Sequence, residues 1–469
     1  MAPFSRLLLQ SAELRLAALP RSCVLHLPGG ETLGPTSADL KLVIRDMRAL
    51  AHLARGAIGQ LAQDYVEGRI DIRGRLRDVM AVAPALLGMN PTKEAGGFLQ
   101  RLRRAAWEKI CHTPARDAEQ VRQHYDLSDE FFALWLDPRR VYSCAYFETP
   151  GMSLASAQEA KLDLICRKLL LRSGERFIDI GAGWGALLLW AAEHYGVDAT
   201  GITLSKHQHA YANQRIQDLG LGTRVRMLLQ DYRDVDETRP FDKVASIGMC
   251  EHVGRRRLPG YFAKIRRLLK PGGLVLNHGI TTAGTDNAQL DAGMGDFIEK
   301  YIFPGGQLVH VGAMLEALAR GGLEPLDAEC LRPHYAQTLW HWSESLEAEN
   351  DSARRILGPR GDKILRAYRL YLAGSAMSFE QGWLSLFQIL GAHLDGLIEP
   401  DAQLPPTMRA RQCAYPFERG YMQAPQSFRP CASKHRRPNV PLLLTESLSP
   451  REVEIGTAAA RRGPGETRS

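Results

Sequence analysis

No stretch of the chain approaches the ~20 apolar residues that a helix needs to cross a bilayer. Any membrane contact is therefore expected to be peripheral. The eight cysteines are scattered, with no CxxC pair and no metal-ligand spacing, so no metal site is expected. No secretory leader is recognisable either, and both features fit a reducing, cytoplasmic setting. The absence of any RNA- or DNA-reading module sets nucleic acid aside as a partner. Acidic charge falls short in two places. Residues 66–116 hold ten Lys/Arg against five Asp/Glu, among them Arg69, Arg73, Arg75, Arg77, Arg101, Arg103 and Arg104. Residues 429–469 hold eight against four. These surpluses of five and four exceed the net charge of +7, so the remainder is slightly acidic. Basic segments of this kind suit an anionic surface such as lipid headgroups; a solvated helix face is the plainer alternative.

Apolar residues are not lacking. They make up 45% of the 469 residues, with 24% charged, an ordinary globular composition. The length accommodates a large catalytic domain, a smaller one and a tail. Residues 1–90 read as a small α+β domain: an amphipathic N-terminal helix, helical periodicity across Leu40–Leu61, and strand-like alternation over 64–74. A linker at 89–97 runs into a basic helical segment, and 91–116 is assigned as a basic linker helix. Beyond about residue 160, the segments 177–181, 198–203, 224–231, 241–248 and 273–281 read as short apolar strands with helical crossovers between them. That alternation predicts a doubly wound, Rossmann-like α/β fold with a parallel sheet, in a domain spanning 117–424. Residues 284–310 read as an irregular insertion and 334–395 as mostly helical. The Pro-, Arg-, Ser- and Gly-rich segment 425–469 reads as a disordered tail.

In such a sheet, ligands sit beyond the carboxyl ends of the strands. Asp179-Ile-Gly181-Ala-Gly183-Trp-Gly185 follows a strand and opens a helix, and its glycines permit a tight turn and close approach of a ligand to the backbone. A dinucleotide site would want G-x-G-x-x-G, but Ala186 holds the third place. No pyrophosphate has to be cradled; a methionine amino-carboxylate and a ribose fit. Alone, the loop could be a simple strand–helix turn. Thr203 to Gln208 after the second strand and Asp231-Tyr232 after the third add weight to a ligand site. One ordinary feature is missing: no acidic residue ends the second strand to hold the ribose hydroxyls, and Gly201-Ile202-Thr203 stands there instead.

Six motifs in order, YSCAYF (142–147), the glycine loop, TLSKHQ (203–208), GMCEHVG (248–254), KYIFPGG (300–306) and LRPHYAQTLWHW (331–342), resemble those of cyclopropane fatty acid synthases and the related mycolic acid cyclopropane synthases. The resemblance covers 115–422 strongly and 1–90 more weakly. It implies an S-adenosylmethionine-dependent methyltransferase fold and activity. By that resemblance the cofactor contacts are Tyr142, Ser143, Asp179, Gly181, Gly183, Gly185, Thr203, Leu204, Ser205, Gln208, Asp231 and Tyr232. Cys144, Glu251, His278, Ile280 and Tyr335 match the set that binds a bicarbonate ion beside the transferred methyl.

The implied chemistry needs such a set. An alkene attacks the sulfonium methyl and becomes a carbocation, and ring closure then removes a proton from the new methyl while water is kept away. Bicarbonate is the expected base, held by Glu251 and His278, with Tyr335 orienting the Glu and backbone amides near Cys144 completing the shell. Tyr146, Phe147 and Tyr301 are candidates to face the cation. Each residue also has a bland reading: Cys144, His278 and Tyr335 as core residues, the aromatics as wall. The expected reaction is methylene transfer to the cis double bond of an unsaturated phospholipid acyl chain, giving a cyclopropane. A methyl-branched or methylene lipid product, or methylation of a small amine, is the alternative. Expected partners are the bilayer surface and unsaturated acyl chains, with the protein cytoplasmic and peripheral on the inner membrane. The arginines of 66–116 would touch headgroups, the 284–310 insertion would line a tunnel mouth, and a homodimer is left open.

Overall fold

The computed structural model describes residues 3–35, 37–87, 91–92, 127–285, 290 and 293–394. The basic helix expected at 91–116 (Pro91 and Thr92 apart), the start of the domain expected from 117, and the tail expected at 425–469 lie outside these residues.

After helix α1 (Pro3–Ala17), the N-terminal segment forms a four-stranded sheet ordered β2 (Thr32–Leu33), β1 (Cys23–His26), β3 (Leu40–Ile44) and β4 (Ile70–Arg73). Helices α2 (Met47–Arg55), α3 (Ile58–Val66) and α4 (Leu76–Leu87) complete it. Two expectations need correction here. The helical periodicity across Leu40–Leu61 begins in a strand, because Leu40–Ile44 pairs with β1 on one side and β4 on the other. The helices start only where Asp46 caps the Arg48 N–H, and Gly56, in the left-handed region at φ 69°, separates α2 from α3. Conversely, the strand expected over 64–74 is confined to Ile70–Arg73, because Asp64, Tyr65 and Val66 end α3.

The larger sheet has seven strands: β5 (Arg176–Ile180), β6 (Asp198–Thr203), β7 (Val225–Leu229), β8 (Phe241–Ile247), β9 (Leu269–Thr282), β10 (Glu324–Cys330) and β11 (Leu384–Ala392), ordered β10-β11-β9-β8-β5-β6-β7. The five segments expected as strands are β5 to β9. Phe177 buries with Leu162 and Leu188, whereas Ile178 and Ile180 bury with Phe262 and Ile265. Alternate side chains of one strand thus enter two cores, as a sheet covered on both faces requires. The helices following are α5 (Asp129–Ala133), α6 (Leu154–Lys168), α7 (Ala186–Tyr195), α8 (Lys206–Asp218), α9 (Leu258–Leu268), α10 (Met294–Tyr301), α11 (Val311–Arg320), α12 (Arg332–Ala348), α13 (Asn350–Leu357) and α14 (Gly361–Glu380).

The sheet departs from the all-parallel expectation at one edge. Strand β11 runs antiparallel between β9 and β10, and neither β10 nor β11 was anticipated. The helical reading of 334–395 holds for α12 to α14 and fails at Leu384, where a mostly apolar run that carries Ser385 and Gln388 pairs into the sheet. Helix α10 likewise sits within the insertion expected to be irregular.

A third core joins the N-terminal segment to α12 and α14, burying Leu25, Leu40 and Leu50 with Trp135, Trp342 and Tyr368. Arg366 of α14 clamps the junction by donating to Asp71 (2.6 Å) and the Ile70 carbonyl (2.7 Å). Among the described residues, no helix is long and apolar enough to cross a membrane.

Candidate active site

Two cavities meet at the carboxyl ends of β5, β6, β8 and β9. The first, of about 130 Å³, is lined by the glycine loop, the Thr203–Leu204 turn and Tyr232. The second, of about 310 Å³, is mostly apolar and lies within the range of enclosed ligand sites. Tyr142, Ser143, Gly248 and His252 line both. Tyr142 is fixed by an aromatic cluster of Phe132, Trp135 and Trp342, with ring centroids 5.2–5.7 Å away, each such pair contributing about 1 kcal/mol beyond burial. Its hydroxyl donates to Tyr371 Oη at 3.3 Å.

In the smaller pocket, Gly181, Gly183 and Gly185 all have positive φ. A Cβ at Gly183 would meet no protein atom within 4 Å; the space in front of it is open to a ligand. Gly185 caps α7. Ser205 caps α8, its Oγ accepting from the Gln208 N–H (3.3 Å), while Thr203 Oγ1 accepts from the Ser205 N–H (3.2 Å) and donates to Gln208 Oε1 (2.8 Å). Of the twelve expected cofactor residues, Tyr142, Ser143, Asp179, Gly181, Gly183, Thr203, Leu204, Gln208 and Tyr232 line this pocket. Gly185, Ser205 and Asp231 do not. Ser205 shapes the turn, and Asp231 is taken by Arg233, whose guanidinium donates to it at 2.6 Å.

Asp179 is buried, its Oδ1 lacks a hydrogen-bond partner among the described residues, and burial pushes its pKa up to about 7. Lys161, also buried, donates to Ser143 Oγ at 2.8 Å, and burial lowers its pKa to about 8. Lys161 and Arg140 line the same pocket and were not anticipated. Arg140 holds φ 55°, an uncommon value for a residue with a side chain, and its guanidinium stacks 4.1 Å from the Tyr211 ring. For Lys161 a sequence signal existed. Ala157, Lys161, Leu164, Ile165 and Lys168 form the buried stripe of α6, and two lysines in an apolar stripe demand an explanation.

Cys144, Glu251, His278, Ile280 and Tyr335 all line the larger cavity. Glu251 sits in a turn after β8; its Oε1 accepts from the Ile280 N–H at 2.7 Å, and Cys250 Sγ donates to Oε2 at 3.3 Å. Burial holds its carboxyl above the usual carboxylate range. Ile280 thus acts through its backbone by aiming Glu251. His278 is 1% exposed; Gln388 Nε2 donates to its Nδ1 at 3.2 Å, and its Nε2 has no partner among the described residues. Burial, with Lys161 and Lys168 nearby, keeps its pKa far below the ordinary histidine value, so the ring is neutral. Cys144 is fully buried, and burial raises its thiol pKa strongly, which leaves a neutral thiol. Tyr335 packs edge-on to Trp342.

The amides of the three residues after Cys144 bond within the protein: Ala145 N–H donates to Thr338 Oγ1, Tyr146 N–H to the Ala157 carbonyl, and Phe147 N–H to His334 Nδ1. One detail expected from the sequence is corrected: Tyr146, Phe147 and Tyr301 do not line the cavity. The first two stack on His334, and the Tyr301 hydroxyl donates to Glu67. The 284–310 insertion does contribute wall, through Leu290, Phe297 and Phe303. Much of the rest comes from the N-terminal segment, including Leu53, Ile58, Ala62, Ile72, Met80 and Ala83, a role its sequence did not announce.

Residues 112–389 match the model of the mycolic acid cyclopropane synthetase family. The chain is 40% identical over 384 residues to a probable fatty acid methyltransferase of Pseudomonas putida, covering 80% of this chain and 94% of that protein. Among solved structures it is similar to the cyclopropane synthase MmaA2 from Mycobacterium tuberculosis (36% identity, TM-score 0.56, 59% of this chain and 98% of that one). It is equally similar to the mycolic acid cyclopropane synthase CmaA1 complexed with SAH and CTAB (36% identity, TM-score 0.55, the same coverage). The seven-stranded, mostly parallel sheet with its ligand pocket beyond β5 and β6 agrees with these likenesses, and the chain belongs to the mycolic acid cyclopropane synthetase family of S-adenosylmethionine-dependent methyltransferases.

Proposed function

We propose that the protein transfers a methylene group from S-adenosylmethionine to the cis double bond of an unsaturated phospholipid acyl chain, closing a cyclopropane ring. The observation that carries this reading is the junction of a polar pocket with a mostly apolar cavity, sharing Tyr142, Ser143, Gly248 and His252. A methyl donor seated against Gly183 would present its methyl toward an apolar chain. The apolar lining of the larger cavity, filled by that chain, would keep water from the cation formed on it. In this reading Asp179 would meet the methionine ammonium, and Lys161 with Ser143 its carboxylate, all of which line the smaller pocket.

The residues also fit a small oxyanion. His278 Nε2 is a buried nitrogen without a partner among the described residues, and Glu251 Oε2 accepts from the Cys250 thiol. When bound there, bicarbonate would supply the base for the proton lost at ring closure. Glu251, aimed by the Ile280 amide, and His278 would hold it, and Tyr335 and Cys144 would close the wall around it. The likeness to proteins named fatty acid methyltransferase and cyclopropane synthase supports a lipid acceptor.

Lipid mass spectrometry of cells expressing the protein tests the substrate. Unsaturated phospholipids should give way to species one methylene heavier whose chains resist hydrogenation as rings; unchanged lipids would refute the reading, and branched chains would favour the methyl-branched alternative. We further propose that the enzyme works peripherally at the cytoplasmic membrane face. Here the structure tempers expectation, because Arg69, Arg75 and Arg77 each already hold a carboxylate (Asp64, Asp78 and Glu344) at 2.7–2.9 Å. The latter two are exposed pairs, which are weak and exchangeable. Liposome binding should fall as salt rises; equal binding to neutral and anionic vesicles would exclude these arginines as the anchor.

A further inference from the structure

We propose that Gln388, locked by Lys168 and Glu329, fixes His278 as the Nε2–H tautomer, so that His278 acts in the cavity as a hydrogen-bond donor and not as a proton acceptor. The inference deepens the proposed reaction at this site, and rests on it only for the effect on turnover.

The geometry begins with strand register. Glu329 on β10 pairs with Gln388 on β11, and Gln388 pairs with His278 on β9. Directly paired residues project to the same face of a sheet, so the three form one polar rung across the antiparallel edge. Lys168, the last residue of α6 and 1% exposed, meets this rung. Its Nζ donates to Glu329 Oε2 at 2.5 Å and to Gln388 Oε1 at 2.8 Å.

The proton assignment follows from what each group can do. An ammonium only donates, so the Gln388 atom facing Lys168 has to be its carbonyl oxygen. The opposite end of that amide, 3.2 Å from His278 Nδ1, is then the NH2 group, which only donates. His278 Nδ1 therefore accepts and carries no proton. A neutral imidazole has one N–H, which is left on Nε2, the nitrogen without a partner among the described residues. Burial and the nearby Lys161 and Lys168 keep the ring neutral. Buried charge is costly to retain where apolar residues could pack instead. The rung's result is a directed donor at the place where an oxyanion would sit.

The competing role makes the opposite demand. As a general base His278 would need a bare Nε2 and a proton on Nδ1, which is what a carboxylate partner would enforce. Gln388→Glu builds that partner in place. Other titratable groups facing the ring are Lys161 and Lys168 from α6, Glu329 from β10, and Glu251, Cys144 and Tyr335 around the cavity; all remain in the variant.

Two measurements on the full chain decide the matter. Nitrogen-15 spectra of histidine-labelled protein, with His278→Asn as the assignment reference, read the tautomer without any turnover. We expect Nε2–H in the wild type and loss of that single state in Gln388→Met. An Nδ1–H ring in the wild type would overturn the inference. In assays with S-adenosylmethionine and vesicles of cis-unsaturated phospholipid, Gln388→Glu should lose about tenfold in turnover at high pH, typical of removing a histidine's orienting partner. It should regain activity as pH falls, because the carboxylate raises the His278 pKa and the imidazolium again carries Nε2–H. Full activity at high pH with loss at low pH would make His278 a base and refute the proposal. So would a pH-independent loss that tracks melting temperature, the mark of a purely structural rung. Should the wild type be inactive on these vesicles while its spectrum shows Nε2–H, the substrate assignment fails and the tautomer assignment stands.

Discussion

The two cavities that meet at Tyr142 are built in contrasting ways. The smaller one is local: the glycine loop, the Thr203–Gln208 turn and Tyr232 each follow a parallel strand within a few residues, and their backbone conformations do the shaping. The larger one is assembled at long range, from the N-terminal helices, the insertion around Phe297, and α12, α14 and β11. A pocket for a fixed, polar cofactor can be written into short motifs. A cavity for an apolar chain needs only shape and dryness, which many sequences supply.

The contrast can be tested from either side, and where the cavities join the largest effect is expected. Glu251→Gln keeps the shape and one acceptor but removes the negative charge and the second acceptor oxygen, which disturbs the arrangement that would accept and orient the bicarbonate O–H. Turnover should fall by about 10² or more, the range for general acid–base contributions, while cofactor affinity is nearly kept, the signature of a transition-state interaction. If Glu251 were itself the base, the same loss would appear; wild-type activity in rigorously carbonate-free buffer at unchanged pH then separates the cases, since full activity there eliminates the ion.

In the polar pocket, Gly183→Val places a branched side chain at φ 56°, a genuine outlier for such a residue, in the space left for ligand. Calorimetric titration should show S-adenosylmethionine binding weakened on the order of 100-fold, from about 3 kcal/mol of clash; unchanged affinity would misplace the site. Ala62→Phe makes the matching change in the apolar wall. Its expected signature is the reverse, with cofactor affinity intact and turnover on long acyl chains reduced about tenfold, of the size a misplaced substrate produces. Equal loss of cofactor binding would mean that the two cavities are not independent.

The smallest effect is a pH dependence within the polar pocket. Burial raises Asp179 to about 7, so its carboxylate becomes protonated as pH falls through 7 and can no longer hold an ammonium. Cofactor affinity should then decline toward acid, by at most about tenfold per pH unit. Asp179→Asn should flatten that limb. An unaltered profile in the variant would assign the dependence to another group.

The same contrast explains what the sequence disclosed. Asp179, Gly183 and Glu251 lie at or just beyond the ends of apolar strands, where a one-dimensional reading can find them, and His278 lies in the last third of β9. Lys161 and Lys168 required knowing which stripe of α6 is buried. Gln388 required the pairing of β11 against β9, and nothing in 384–392 announces that an apolar run following a helix enters a sheet as its antiparallel member. Leu40–Ile44 was misread for a related reason, because pairing with β1 and β4 overrides a helix-like pattern. Tyr146 and Phe147 lie beside Cys144 in sequence, yet stack on His334, away from the cavity.

Label transfer from S-adenosylmethionine carrying a trideuterated methyl group, with purified protein and vesicles of a cis-monounsaturated phospholipid, examines the chemistry at the junction most directly. Methylene transfer with loss of one deuteron from the new carbon is expected to leave two of the three deuterons in a cyclopropane ring on the acyl chain. A product that retains all three, or label found on a headgroup amine and not on the chain, would contradict it.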